Sequence, residues 1–432
     1  MDSDGVSRRS VLGGVVAAMA GSGCLATGKS PKPRASDWLQ PGYDAGETYF
    51  KSKGDPPIES VTESWSVKLD TVEYVSDTLL IADETIYHDL GVAVDLSTGE
   101  VEARTPCVYG LIGFARTETF RDGVLLTRTD HDAPEDTIQA YTPTLDPIPA
   151  GRCANGVRWT LGYPEDLEGS GNVRLSDGEI IVNRNPGRDN SGFVGVDPAD
   201  GTINWRQAFD GGGELFADKK WFYLFPSDLR SELLTVERST GQVQLRFGKP
   251  HTGNMNAVRN GIAYFTLYDE TESENTYNDT YEPELVAFDV RSEEPKWELD
   301  VNERLGIEVI TKDPDDEITK LAVGPDTVYA TFDREILLAI DTADGAIRWS
   351  KQSDNYSEMT ATEEAVYVNA GSEVYCFDVE TGDAHWVYEL DEMESSGRPI
   401  VADSRVLVET HKLAEWDSHE PADIFLLALE EA

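Results

Sequence analysis

Basic residues are scarce in this chain. Lys and Arg number 36 against 81 Asp and Glu, a formal net charge of −45 over 432 residues. A surface of that sign repels phosphate backbones and anionic lipid, so nucleic-acid recognition is excluded. The acidic residues are spread along the chain, not gathered in a tail. That is the pattern of a protein kept hydrated in concentrated salt, where charge is screened over very short distances. Cysteine is also rare: Cys24, Cys107, Cys153 and Cys376 form no CxxC pair, which removes the usual structural zinc spacing. No apolar run reaches the ~20 residues that cross a bilayer as a helix. HExxH, GxSxG and the Walker loop are missing, and with them the commonest metalloprotease, serine-hydrolase and nucleotide sites.

The N-terminus reads as an address. Ser7-Arg8-Arg9-Ser10-Val11-Leu12 is a twin-arginine start, and the apolar run 11–20 suits a signal-peptide core. The other reading of Arg8 and Arg9 is the start of a short anchoring helix. Gly21-Ser22-Gly23-Cys24 puts small residues before a lone cysteine, as in a lipobox, with Gly21 where a larger apolar residue is usual. The expectation is export of a folded chain, removal of residues 1–23, and lipidation of Cys24. Residues 24–58 then form a tether and lead-in, and the protein is anchored on the outer face of the cytoplasmic membrane.

From about residue 59 the chain repeats. An Asp-x-x-x-Gly-x-x-x-Trp frame recurs at Asp197/Gly201/Trp205, Asp341/Gly345/Trp349 and Asp378/Gly382/Trp386. Looser copies are Asp95/Gly99/Ala103, Glu237/Gly241/Leu245 and Asp289/Glu293/Trp297, and a stretched copy runs from Ala140 to Trp159. The C-terminus ends in half a unit at Ala428; the missing half, with Trp65, lies near the start. Two residues before each Asp position the side chain is small: Ala93, Ala140, Gly195, Thr235, Ala287, Ala339, Cys376 and Ala428. A bulky ring packed over that position would require this. The segment before each Asp reads as a strand. Asp can cap the turn that follows, and Gly supplies its positive φ. Four short strands per ~40–45 residues is the propeller period. The fold expected for 59–432 is therefore all-β: an eight-bladed β-propeller of four-stranded antiparallel blades, its last blade closed by an N-terminal strand. Seven blades would follow if 140–159 were an insertion. Trp on each outer strand is expected to cover the small residue of a neighbouring blade.

The Ala-x-Asp-x-x-x-Gly-x-x-x-Trp pattern, complete at Ala339, Asp341, Gly345 and Trp349, resembles the tryptophan-docking motif of PQQ-type (WD40-like) propeller repeats. Residues 37–50, DWLQPGYDAGETYF, are similar to the lead-in of exported archaeal members. The resemblance implies either a cofactor-free scaffold, such as the lipoprotein that assists β-barrel assembly, or a quinone-dependent dehydrogenase. Such dehydrogenases carry a vicinal Cys-Cys pair against the quinone and calcium ligands; this chain has no Cys-Cys and is shorter. The expectation is no catalytic residue and no cofactor: PQQ is not expected, and calcium stays open with no motif to support it.

Remaining candidates are weak on sequence grounds. The runs 313–317 and Asp130-His131-Asp132 could bind calcium or another metal, but they read more simply as solvated loops. Cys107 and Cys153 fall in one unit and form a candidate disulfide in an oxidising space. Asn278 and Asn355 open glycosylation sequons. Insertions near 129–137, 184–192, 269–284 and 410–422 should gather on one face and offer a recognition surface for a protein or glycan of the envelope. A monomer is expected. The rival readings are a dehydrogenase and a structural envelope component.

Overall fold

The computed structural model describes residues 34–72, 78–104, 110–128, 137–143, 156–162, 173–176, 178–183, 192–208, 213–226, 232–238, 243–248, 252–270, 281–306, 319–332, 334–353, 355–391, 393–412 and 422–432. Eight sheets follow one another along the chain. Each has four antiparallel strands running from the axis to the rim, and one also receives a short parallel strand, Phe50–Lys51. In chain order blades 1 to 7 span 79–104, 111–162, 173–208, 213–248, 252–300, 319–352 and 359–389. Blade 8 takes three strands from 393–430 and its outermost strand, Thr62–Val72, from near the start of the chain. Trp65 pairs with Ala428, as ring closure requires. The stretched unit is blade 2, with Trp159 opposite Ala140, so the seven-blade alternative is excluded. Among the described residues the helix Val301–Leu305 is the only one, and none is long and apolar enough to cross a membrane.

The repeat signature builds one turn. Asp341 Oδ1 accepts from the Ala343 N–H, and its main-chain oxygen accepts from Gly345 N at 3.0 Å. Asp95, Asp197 and Asp378 do the same for their turns. The Arg348 guanidinium and the Ala343 N–H hold the Asp341 carboxyl below the usual carboxylate range. A bulge follows in every blade: the residue before the Trp position is extra, as between Ala339 and Ile340 or between Glu63 and Trp65. A bulge re-aims the side chain beside it. Here it turns the ring toward the next blade.

The small residues were expected to lie under a neighbour's tryptophan; this is corrected. Each small residue faces the Trp position of its own blade, in all eight blades. What the neighbour supplies is its turn. Trp65, Trp159, Trp297 and Trp349 lie against Gly99, Gly201, Gly345 and Gly382 of the following blade. Their Nε1 atoms donate to the carbonyls of Leu96, Pro198, Thr342 and Val379 at 3.0–3.1 Å. Trp386 has no such turn ahead of it, because blade 8 is built from the two ends of the chain. The Pro57 carbonyl takes its indole N–H instead, at 3.2 Å.

The glycine is therefore needed twice, for a positive φ and for space. At Gly345 φ is 73°, and a Cβ would sit 2.9 Å from Trp297 Cδ2. In blade 5 the equivalent residue, Glu293, accepts φ 60°, and the preceding blade carries Leu245 in place of Trp. Gly345→Ala should cost about 1–2 kcal/mol from the left-handed backbone alone, and more from the displaced ring. Thermal denaturation reads this, and an unchanged midpoint would mean that the turn relaxes freely.

Two faces result. The hairpin between the first and second strands and the Asp turn share one face, as the Leu96 N–H bond to Glu84 O shows. The opposite face receives the blade-to-blade connections and the four insertions, whose flanking strands end at Arg128 and Thr137, Asn183 and Gly192, Glu270 and Tyr281, and Lys412 and Ala422.

Candidate functional site

The innermost strand of a blade is a sheet edge, and its inward N–H groups need partners. The chain provides them itself. Residues 37–51, read from sequence as lead-in, run once around the inside of the ring in the order of the blades. Trp38 exchanges both main-chain hydrogen bonds with Ile81 of blade 1, each 2.8 Å. The carbonyls of Leu39, Ala45, Gly46, Thr48 and Tyr49 accept from Phe114, Ala217, Val258, Val323 and Ala361 at 2.7–3.0 Å, serving blades 2, 4, 5, 6 and 7. The main chain skips blade 3, to which the Glu47 side chain reaches back from between blades 5 and 6 to pair with Arg174. Lys51 completes the circuit by donating from Nζ to Val401 O of blade 8 at 2.6 Å. Each main-chain contact falls on the last or next-to-last residue of its inner strand. The plug therefore sits at the turn face.

So tight a path uses special backbone. Tyr43, Glu47 and Tyr49 all have positive φ, at 68°, 51° and 48°. A Cβ on Gly46 would stand 2.1 Å from Val258 O, so only glycine fits there. Asp44 holds the turn together, accepting from Gly46 N, Thr48 N and Thr48 Oγ1. Burial pushes its carboxyl up against those bonds. At the start of the plug, the buried Arg116 guanidinium grips Asp37 with two bonds, of 2.9 and 3.2 Å, and also reaches Asp83.

Lys51 is 1% exposed. Burial lowers its ammonium from 10.5 to about 7, while Asp37 and Asp403 oppose the shift. Between those values the unfolded chain binds more protons than the folded one. Stability should therefore rise as pH climbs from about 7 toward 10, and this gain is lost as pH falls back through 7. Each unit of separation is worth about 1.4 kcal/mol. Lys51→Met should flatten that limb of the stability–pH curve measured by urea denaturation. An identical slope in both proteins would clear Lys51 of the effect.

On the loop-face side of the plug lies a two-lobed well with Pro41 as the ridge. One lobe, of about 200 Å³, is lined by Gln40, Asp44, Glu47, Arg128 and Arg174 beside Leu111, Ile112 and Val173. The other, of about 190 Å³, is lined by Tyr49, Lys320, Glu358 and Arg398 beside Leu79 and Ile400. Arg398 lies over the Tyr49 ring, 3.3 Å from its centre, and pairs with Glu358. Lys320 meets the same carboxylate at 2.9 Å. Burial alone would raise Glu358, but Arg398 and Lys320 outweigh it and hold the group below its ordinary value. Four of the chain's few cations thus gather at the axis. Each lobe is smaller than the ~300 Å³ at which drug-sized ligand pockets begin. Among the described residues no group of three His, Cys, Asp or Glu is placed to hold a metal.

Most candidates from the sequence fall elsewhere. Arg8, Arg9, Cys24, Cys107, Cys153, Asn278 and the acidic runs at 130–132 and 313–317 lie outside the described residues. Asn355 is half-buried at the connection from blade 6 to blade 7, its amide against Gly371. Cys376 is a buried free thiol under Trp386, pushed up to about 12 by burial. No residue of the well was singled out from sequence. Its cations come singly from four separate blades, Arg128 from the end of a second strand and Arg174, Lys320 and Arg398 from inner strands, without spacing to mark them. Gly42 and Gly46 in the lead-in were the one available signal.

A sequence family described as outer membrane protein assembly factor BamB matches residues 153–350 and 282–419, more than half of the chain. No curated protein matches. Among solved structures, BamB from Moraxella catarrhalis superposes over 86% of this chain and all of its own, with 12% identity and a TM-score of 0.51. The quinohemoprotein alcohol dehydrogenase ADHIIG from Pseudomonas putida HK5 covers 92% and 80%, with 11% identity and a TM-score of 0.58. The computationally designed Ika8 protein covers 84% and 98%, with 11% identity and a TM-score of 0.55. These likenesses establish the propeller fold.

Proposed function

The chain belongs to the family of outer membrane protein assembly factor BamB, and from that premise we propose that it is a non-catalytic scaffold that binds an envelope protein through its loop face. The plug is the observation that carries this reading. The axis is closed at the turn face by the chain's own backbone, while the insertions leave their blades at the opposite face. Loops held on a rigid frame are where recognition concentrates. In the full proposal residues 1–23 direct twin-arginine export, lipidated Cys24 anchors residues 24–58 to the outer face of the cytoplasmic membrane, and the acidic surface suits concentrated salt. The dispersed negative charge favours a partner that presents basic groups.

Capture from solubilised envelope in concentrated salt tests the proposal. One protein should co-purify in near-equal amount. It should be lost when residues 271–280 are replaced by a Gly-Ser linker and retained when Asp344, on the turn face, becomes Lys. The dehydrogenase reading, kept open by the likeness to ADHIIG, makes a different forecast: dye reduction after incubation with PQQ and calcium. That result, without any captured partner, would overturn the scaffold.

A further inference from the structure

We propose that the anchor at Cys24 holds the loop face away from the bilayer, so that this face is open only to a partner standing clear of the lipid. The orientation rests on the anchored reading above. What fixes it is the place where the chain enters the plug. The Arg34 main-chain N–H donates to Asp37 Oδ2 at 2.7 Å, and its carbonyl accepts from Asp37 N at 3.3 Å. Its guanidinium pairs with Asp83 at 2.7 Å, and Arg116 grips both Asp37 and Asp83. Asp83 and Arg116 lie in hairpins between first and second strands, which belong to the turn face. The far end of the plug leaves on the same side. Asp55 N donates to Asp403 O at 3.0 Å, and the Pro57 carbonyl accepts from Trp386. The chain before Arg34 therefore starts beneath the turn face, near the axis.

Distance then decides. Cys24 stands ten residues before Arg34, a reach of at most about 33–36 Å. The plug closes the axis, so the only route to the loop face is over the rim. From the inner hairpin of blade 1 that route runs outward across the sheet, about 14 Å for four strands, and then up the wall. The wall is tall. Tyr281–Asp289 in blade 5 and Ala422–Glu430 in blade 8 have nine residues each, about 30 Å at the usual rise. A bilayer laid on the loop face would be held off at least that far, which puts it beyond the reach of Cys24. Poses with the turn face or the rim toward the lipid stay within reach. Adhesion does not set the pose. Exposed Glu84, Asp200, Asp326, Asp344, Glu363 and Glu380 make the turn face acidic, and anionic lipid repels it. The short tether is what orients the ring.

Energy transfer to lipid is the test, with the lipidated full chain reconstituted in phosphatidylglycerol vesicles that carry an acceptor dye. Donor dyes go on Asp344→p-azidophenylalanine at the turn face and on Lys412→p-azidophenylalanine at the loop face, which leaves every cysteine untouched. Both positions are exposed, and thermal melts check that each variant folds. Transfer should be at least about twofold stronger from position 344, given the ~20–30 Å between the faces. Inserting about twenty-five Gly and Ser residues after Gly28 adds roughly 80–90 Å of reach and should bring the two signals to near parity. Equal or stronger transfer from position 412 with the native tether would overturn the orientation. A preference for position 344 that survives the long tether would overturn the tether as its cause. Chains that fail to float with the vesicles on a density gradient would overturn the anchor, and the orientation with it. That result is distinct from chains that float and show no preference, and neither bears on whether a partner is captured.

Discussion

Trp38→Ala should lower the free energy of unfolding by about 3–5 kcal/mol, the usual loss for a large buried aromatic ring cut to a methyl group. Trp38 has no exposed surface. It packs among Ile81, Ile86, Ile400 and Ile424, so it joins blade 1 to blade 8 across the ring seam. Tyr43 tilts against it at 4.9 Å between ring centres, and its Nε1 donates to Pro41 O at 3.2 Å. The ring also lies 5.9 Å from the Lys51 ammonium. Removing it loosens both ends of the plug together. Urea denaturation should show the loss, and limited proteolysis should begin within residues 34–58. Trp38→Phe should recover much of the stability. A Trp38→Ala protein as stable and as protease-resistant as the parent would mean that the plug is an appendage of the ring and not part of it.

Ending the chain before Ala422 should have a larger effect still. The strand Ala422–Glu430 lies between Arg405–Lys412 on one side and Thr62–Val72 on the other. It supplies Ala428 opposite Trp65, and the Glu431 carboxylate just beyond it receives Ile58 N and Ser60 N. Its loss separates two edges, removes the buried Leu426, Leu427 and Leu429 from the sheet, and leaves Trp65 without its cross-strand partner. That exceeds the 5–15 kcal/mol by which a domain is ordinarily stable. The expected product has residual β-sheet signal in the far ultraviolet, no cooperative melt and a tendency to associate through its open edges. Adding residues 422–432 as a separate peptide should restore a sharp transition. A cooperative melt from the truncated protein alone would disprove closure by the two ends.

The count of blades was legible because docking is done by side chains that differ from their surroundings. A small residue at the docking position leaves a mark at each unit, even as Cys376 and Thr235, and a Trp stands opposite it in six of the eight. The closing strand was legible for the same reason, through Trp65 and Ala428. The bulge was hidden, since an extra residue such as Arg348 has no type of its own. The target of each ring was misjudged because a glycine read as a turn former also serves as a seat. The plug was illegible for a more basic reason: its contacts are main-chain carbonyls, which every residue possesses. The well inherits that blindness, because Arg128, Arg174, Lys320 and Arg398 become neighbours only once the ring closes around Pro41.

The once-round path of residues 37–51 also sets a timetable. Lys51 needs Val401, and Thr62 needs Glu430, so the earliest residues made are among the last to find their places. During synthesis seven blades can form as an open arc while the N-terminal stretch waits. Such distant pairings carry a heavy loop-closure cost and are slow to form. A nascent chain pulled across a membrane in extended form would have to rebuild all of this on the far side, unaided. A chain that completes the circle first would arrive finished.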